Sequence, residues 1–295
     1  MDETRPDGGF NGVVVGVDGS SRDEPTVELA ARESALRSWP LLVVHVDESP
    51  LPVLDVLAWT PVEAESTAGG LFESARAIAA RTDPGVPVRA AAHVGRPENV
   101  LRELSTSAGL IVVGTGRKVA AAQFLYGTVS LNIAAHAACP VLVVGEPAAP
   151  MPRGRVVVGV DGSRHSRAAL RAAAEEAQLR NAELLVHTSW LVEVVEGFVV
   201  TEPGSERWRQ VEEHHRSVQE QAVADALGET REGLRITHEI VNGPSVDTLV
   251  SASKDADLLV VGNRGRGGFL GKLLGSVTMG LLQRSHCPVL VTREH

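Results

Sequence analysis

Short unbroken apolar runs alternate with longer amphipathic stretches along this chain. Val156–Val160, Leu184–His187, Asp257–Gly262 and Pro288–Thr292 have the length and content of strands buried on both faces. Between them, Arg167–Arg180 repeats apolar residues at helical spacing through Ala169, Leu170, Ala173, Ala177 and Leu179. Ser205–Leu227 reads as a second helix, carrying Trp208, Val211, Val218 and Leu227. Leu234–Val241 reads as a further strand. Ser245–Lys254 reads as a helix that starts after Gly243-Pro244, and Ser276–Ser285 as the last helix. This alternation predicts a parallel sheet with helices on both faces. Ligands in such sheets bind beyond the carboxyl ends of the strands, where the strand order reverses.

The pattern is written twice. Val13-Val14-Val15-Gly16-Val17-Asp18-Gly19-Ser20 recurs 143 positions on as Val156-Val157-Val158-Gly159-Val160-Asp161-Gly162-Ser163. Gly95, Leu101, Leu110, Gly114, Gly127, Cys139 and Pro140 recur 148 positions on, as Gly243 through Pro288. A period this long marks a duplicated domain, not a solenoid repeat. The expected boundaries are 12–145 and 154–292, joined by a proline-rich linker at 146–153.

Composition narrows the function classes. Hydrophobic residues make up 43% of the chain, enough for two packed cores. No apolar run approaches the ~20 residues of a membrane span, and the polar start, Met1 to Asn11, lacks a signal-peptide pattern. A cytoplasmic, membrane-free protein is expected. The net charge of −9 argues against nucleic acid as a partner. The two cysteines, Cys139 and Cys287, sit at equivalent places in the two copies and read as small buried hydrophobes. No zinc spacing, Cys-x-x-Cys, Gly-x-Ser-x-Gly or Walker lysine loop is present.

The strongest chemical signal follows Leu258–Val261. Gly262, Gly265, Gly275 and Ser276 form Gly-x2-Gly-x9-Gly-Ser at the end of a strand and the start of a helix. Glycines there permit positive φ and close backbone approach. Free N–H groups at a helix start favour an anion. Such a segment suits a nucleotide polyphosphate, with Arg264 placed to add charge.

Together, the element order, the opening Val-Gly-Val-Asp-Gly-Ser and the Gly-x2-Gly-x9-Gly-Ser spacing resemble the universal stress protein family, in its tandem two-copy form. The resemblance implies two doubly wound, Rossmann-like α/β domains, each with a five-stranded parallel sheet of order 3-2-1-4-5. It implies ATP, with or without Mg²⁺, bound at the carboxyl edge of the first and fourth strands. In the second copy it places Gly262, Gly265, Gly275, Ser276, Val277 and Thr278 at the phosphates. Asp161 falls at the adenosine, Gly159 and Val160 against the base, and Thr188 at the end of the second strand. The corresponding first-copy residues are Gly16, Val17, Asp18, Val46, Gly114, Arg117, Gly127, Thr128, Val129 and Ser130. The resemblance also implies that the apolar last strands pair, giving intramolecular domain pairing and a homodimer.

One substitution separates the copies. Arg117 stands where the second copy has Gly265. Its side chain either fills the space of a phosphate oxygen or swings out to pair with one. On the steric argument the first copy is expected to bind ATP more weakly. Four functions fit the pattern: an ATP-binding regulatory protein in stress response, a nucleotide-hydrolysing or nucleotide-activating enzyme, a phospho-receiver, and a scaffold with vestigial sites. The glycine loop after strand four favours the first. The turn after strand one lacks the Ser-Gly-Gly loop of the second, and no acidic phosphoacceptor follows strand three.

Overall fold

A computed structural model describes residues 10–48, 61–115, 128–145, 152–191, 194–195, 197–199, 202–228, 232–265 and 274–294. The chain divides into two compact units, Met1–Pro147 and Ala148–His295. In the first, β1 (Val13–Val17), α1 (Asp23–Arg37), β2 (Leu41–Asp47), α2 (Pro61–Thr82) and β3 (Val88–Val94) are followed by α3 (Pro97–Leu104), β4 (Leu110–Gly114), α4 (Thr128–His136) and β5 (Val141–Val144). In the second, β6 (Arg155–Gly159), α5 (Arg164–Leu179) and β7 (Glu183–Trp190) precede a small hairpin of β8 (Val194–Val195) and β9 (Phe198–Val199). Then come α6 (Glu206–Leu227), β10 (Ile236–Asn242), α7 (Ser245–Ser253), β11 (Leu258–Gly262), α8 (Ser276–Arg284) and β12 (Val289–Thr292). Among the described residues no helix is long and apolar enough to cross a membrane.

Each unit holds a five-stranded parallel sheet. The order is β3-β2-β1-β4-β5 in the first and β10-β7-β6-β11-β12 in the second. The order reverses between β1 and β4 and between β6 and β11. There Val13 pairs with Leu110, and Val156 with Leu258. The central strands are continuous apolar runs because helices cover both faces. Val13, Val14, Val15, Ile111 and Val112 are fully buried, as are Val156, Val157, Val158, Leu259 and Val260.

The repeat extends to details that the motifs do not contain. Ser38 and Asn181, 143 positions apart, follow α1 and α5, and each has a positive φ, 55° and 50°. Such a left-handed residue reverses the chain after a helix. Glu33 pairs with Arg37 on α1, and Glu176 with Arg180 on α5. One exchange is compensated. A Cβ on Gly109 would lie 2.5 Å from the Trp39 ring. The second unit has Ala182 and Asp257 at these places. The Asp257 carboxylate accepts the N–H groups of Arg153 and Gly154 at 2.7 Å each and of Arg155 at 3.1 Å, tying down the start of β6.

One sequence expectation needs correction, and one element was not foreseen. The strand expected over Leu184–His187 runs from Glu183 to Trp190, longer than its first-half partner β2. His187, Thr188 and Ser189 disguise it, because the carboxyl end of this strand turns polar groups toward a pocket. Pairing with β10 runs the whole way, to Asn242 opposite Trp190. The β8–β9 hairpin, with Gly197 at φ 83°, was not legible in the apolar pattern. The remaining second-half boundaries agree or differ by at most three residues, as expected where caps decide the ends.

Candidate functional site

At the reversal point of the second half lies a pocket of about 430 Å³. Gly159, Val160 and Asp161 reach it from the end of β6, and Thr188 from β7. Gly262, Arg264 and Gly265 reach it from the end of β11, and Gly275, Ser276, Val277 and Thr278 from the start of α8. All the second-half residues singled out from sequence therefore line one cavity. His187, Ser189, His215, Gln219, Ser245 and Leu249 line it as well. They come from strand and helix faces without a motif, so spacing could not find them.

Local chemistry explains the shape. Asp161 Oδ1 accepts the Ser163 N–H at 2.9 Å, and Gly162 turns the chain with φ 78°. The cap of α5 is Ser163, whose Oγ accepts from Ser166 N at 3.1 Å, so Asp161 is left at the strand end. Thr278 Oγ1 donates to the Gly262 carbonyl at 2.8 Å, fixing α8 to the end of β11. The Gly275 N–H donates to the Asn263 carbonyl at 2.8 Å, closing the loop. No side chain caps α8. Its first-turn N–H groups are those a helix cannot satisfy internally, and Ser276, Val277 and Thr278 all lie on the pocket.

The role expected of the loop glycines is corrected. Positive φ belongs to the turn glycines Gly19 and Gly162, and to Gly95 and Gly243, not to Gly262, Gly265 or Gly275. The loop glycines serve space. A Cβ on Gly265 would lie 2.8 Å from Asp161 Oδ2, and one on Gly262 would lie 2.8 Å from the His165 carbonyl oxygen. Contacts this short force a neighbour to move.

The wall opposite the glycine loop is a polar network. Gln219 on α6 is fully buried. Its Nε2 donates to the Val186 carbonyl and to Thr188 Oγ1, both at 2.9 Å. Thr188 Oγ1 donates in turn to the Val160 carbonyl at 2.8 Å. His187 is 2% exposed and sits between Glu239 Oε2 at 2.7 Å and Thr248 Oγ1 at 3.0 Å. Burial pushes its pKa below the usual imidazole value, against the pull of Glu239. Beyond it, Trp190 packs edge-on against Trp208, with ring centroids 4.7 Å apart, and His215 stacks on Trp190 at 6.1 Å.

The first half holds a pocket of about 620 Å³ at the same point of its sheet. Gly16, Val17, Asp18, Val46, Gly114, Thr128, Val129 and Ser130 line it. Arg117 and Gly127 lie outside the described residues. The β1–β2 register puts Gly16 opposite Val44, as Gly159 stands opposite His187. The structural counterpart of Thr188 is therefore His45, one residue before Val46. His45 Nδ1 lies 3.0 Å from the Val17 carbonyl oxygen, as Thr188 Oγ1 meets that of Val160. Asp18, Asp23, Asp47 and Glu48 also line this pocket, with Arg22. Burial pushes the Asp23 carboxyl above its usual range, opposed by hydrogen bonds from the Asp18 and Gly19 amides. Among the described residues no cluster of three or more His, Cys, Asp or Glu side chains could hold a metal ion.

Known proteins carry the same sequence pattern and fold. The model of the universal stress protein family matches twice, over residues 9–145 and 152–293. A universal stress protein of Mycobacterium tuberculosis is 33% identical over 96% of this chain and 97% of its own. One from Mycolicibacterium smegmatis is 31% identical, over 96% and 97%. The crystal structure of a universal stress protein from Archaeoglobus fulgidus superposes with a TM-score of 0.68 over 96% of this chain and 98% of that one. At 18% identity it speaks for the fold alone. With the family's model matched in both halves and the relatives aligned end to end, this chain belongs to the universal stress protein family.

Proposed function

We propose that the second half is an ATP receptor and that the protein acts by ligand linkage: bound ATP stabilises one conformation and thereby governs a partner surface. The observation that carries this reading is the uncapped start of α8 on a pocket that Asp161 also lines. Unsatisfied N–H groups and the helix dipole favour phosphate oxygens there. Arg264 adds a cation that suits phosphate geometry. Asp161 Oδ2 stands beside Gly265, where a ribose hydroxyl can donate to it. Thr188 and Gln219 stiffen the wall against which Gly159 and Val160 would hold the base. The volume lies within the ~300–1,000 Å³ typical of small-molecule sites. Mg²⁺ would travel on the phosphates and their water, with Asp161 the one carboxylate among the described residues lining this pocket.

The test is a count. The purified full chain is loaded with millimolar ATP, freed of excess by gel filtration, denatured, and the released small molecules are identified. One ATP per chain is expected, with a matching rise in melting temperature. A chain that emerges empty, with an unchanged melting temperature, removes the receptor reading and leaves the scaffold.

A further inference from the structure

The two pockets share an apolar wall and differ at one helix start. Val17, Val46, Leu101 and Val113 keep an apolar side in the first. Asp23 there stands where the second half has Ser166, 143 positions on. Ser166 turns its hydroxyl to the Ser163 carbonyl at 2.9 Å, and α5 begins at Arg164. Asp23 instead reaches back. Its carboxylate accepts the Asp18 N–H at 3.1 Å and the Gly19 N–H at 2.8 Å. Helix α1 accordingly begins only at Asp23, two residues later than α5 in the aligned frame.

This has two effects on any ligand. The amide of the strand-end turn already holds an anion supplied by the chain itself. Gly162 lines the second pocket, whereas Gly19 is not among the described residues lining the first. The charge around the cavity also changes. Among the described residues lining it, Asp18, Asp47 and Glu48 join Asp23, with Arg22 the guanidinium beside them. Arg22 Nη1 donates to the Gly145 carbonyl at 2.6 Å. A polyphosphate entering beside these carboxylates meets like charge, which repels it. Ribose hydroxyls are donors, and carboxylates accept from them. Resting on the nucleotide-site reading above, we propose that Asp23 makes the first pocket a receptor for the unphosphorylated nucleoside, adenosine, and keeps ATP out. One chain then carries two sensors, one for the charged and one for the uncharged end of the same chemical series.

Calorimetry on the full chain tests this. ATP fills one site per chain, and adenosine added to the ATP-saturated protein fills one more. Asp23→Ser, which copies the second half, brings the ATP count to two. Asp18→Ala, a change at an exposed residue, weakens the adenosine step about tenfold by removing an acceptor. Two ATP bound by the unmodified chain, or no adenosine uptake after ATP saturation, overturns the proposal. A chain that takes no ATP but takes adenosine in an Asp18-sensitive step supports it, and refutes the second-half reading instead.

Discussion

The two halves of this protein keep the same frame and different pockets. Ser38 and Asn181 end equivalent helices in the same left-handed conformation, and the Glu33–Arg37 and Glu176–Arg180 pairs recur on those helices. Around the strand ends the match is only partial: Gly16-Val17-Asp18 recurs as Gly159-Val160-Asp161, but other pocket positions differ. Gly265 leaves room for the Asp161 carboxylate, and its counterpart is Arg117. His187, clamped between Glu239 and Thr248, has Val44 as its counterpart. Ser166 has Asp23. The frame is held by many contacts that all depend on one another, so either copy loses stability when it drifts. A pocket residue answers only to its ligand. Divergence at these pocket positions, set against the retained helix ends and ion pairs, is what motivates the proposal that the two copies take different ligands.

That comparison breaks most sharply at Gly265. Gly265→Arg gives the second half the first half's residue and places a Cβ 2.8 Å from Asp161 Oδ2. ATP affinity by calorimetry should fall about 100-fold, or ~2.7 kcal/mol. An unchanged affinity means the glycine's space is not used by the ligand. Removing the facing carboxylate is milder. Asp161→Ala should cost about tenfold, ~1.4 kcal/mol, through loss of one charge-assisted hydrogen bond.

His187 sharpens the comparison through pH. Burial holds its pKa below the ordinary value, so on acidification the unfolded chain takes up the proton first. Stability from this site is full above the unfolded imidazole pKa of about 6.5 and declines as pH falls below it, by at most ~1.4 kcal/mol per pH unit. A loss of about 2–4 °C in melting temperature per kcal/mol follows. His187→Val, the first-half residue, should flatten that acid limb in a calorimetric scan. A limb of equal slope in the variant would assign the effect elsewhere. The smallest expected difference between halves is at the thiols. Burial pushes both Cys139 and Cys287 up to about 12. Alkylating reagent at pH 8 should leave both unlabelled until the chain unfolds, and early labelling of either one would show that its half opens alone.

Much of this was legible in the chain. Buried parallel strands are apolar runs, so Val13–Val17 and Leu258–Gly262 announced themselves, and the repeat confirmed each reading with a second copy. The glycine spacing located the pocket because close approach of backbone and carboxylate requires a missing side chain. The rest of the pocket was hidden for a physical reason. His187 and Gln219 lie on a strand and a helix far apart in sequence, and the packing of α6 across β7 and β10 brings them to one pocket. His215 follows His214 in sequence, yet only its stacking on Trp190 sets it at the cavity. The positive φ expected of the loop glycines failed because sequence shows that a side chain is absent without showing whether rotation or room made it so.

The Trp190–Trp208 contact carries a practical corollary. Indole emission is sensitive to a neighbouring imidazole, and His215 links this pair to the cavity lining. If the proposed nucleotide settles against His215, it alters the electrostatic surroundings of an intrinsic fluorophore. Occupancy should then be readable in real time from ultraviolet emission, with no dye attached, and Trp190→Phe, which removes the indole stacked on His215, should silence most of the signal while leaving the ligand's heat of binding in place.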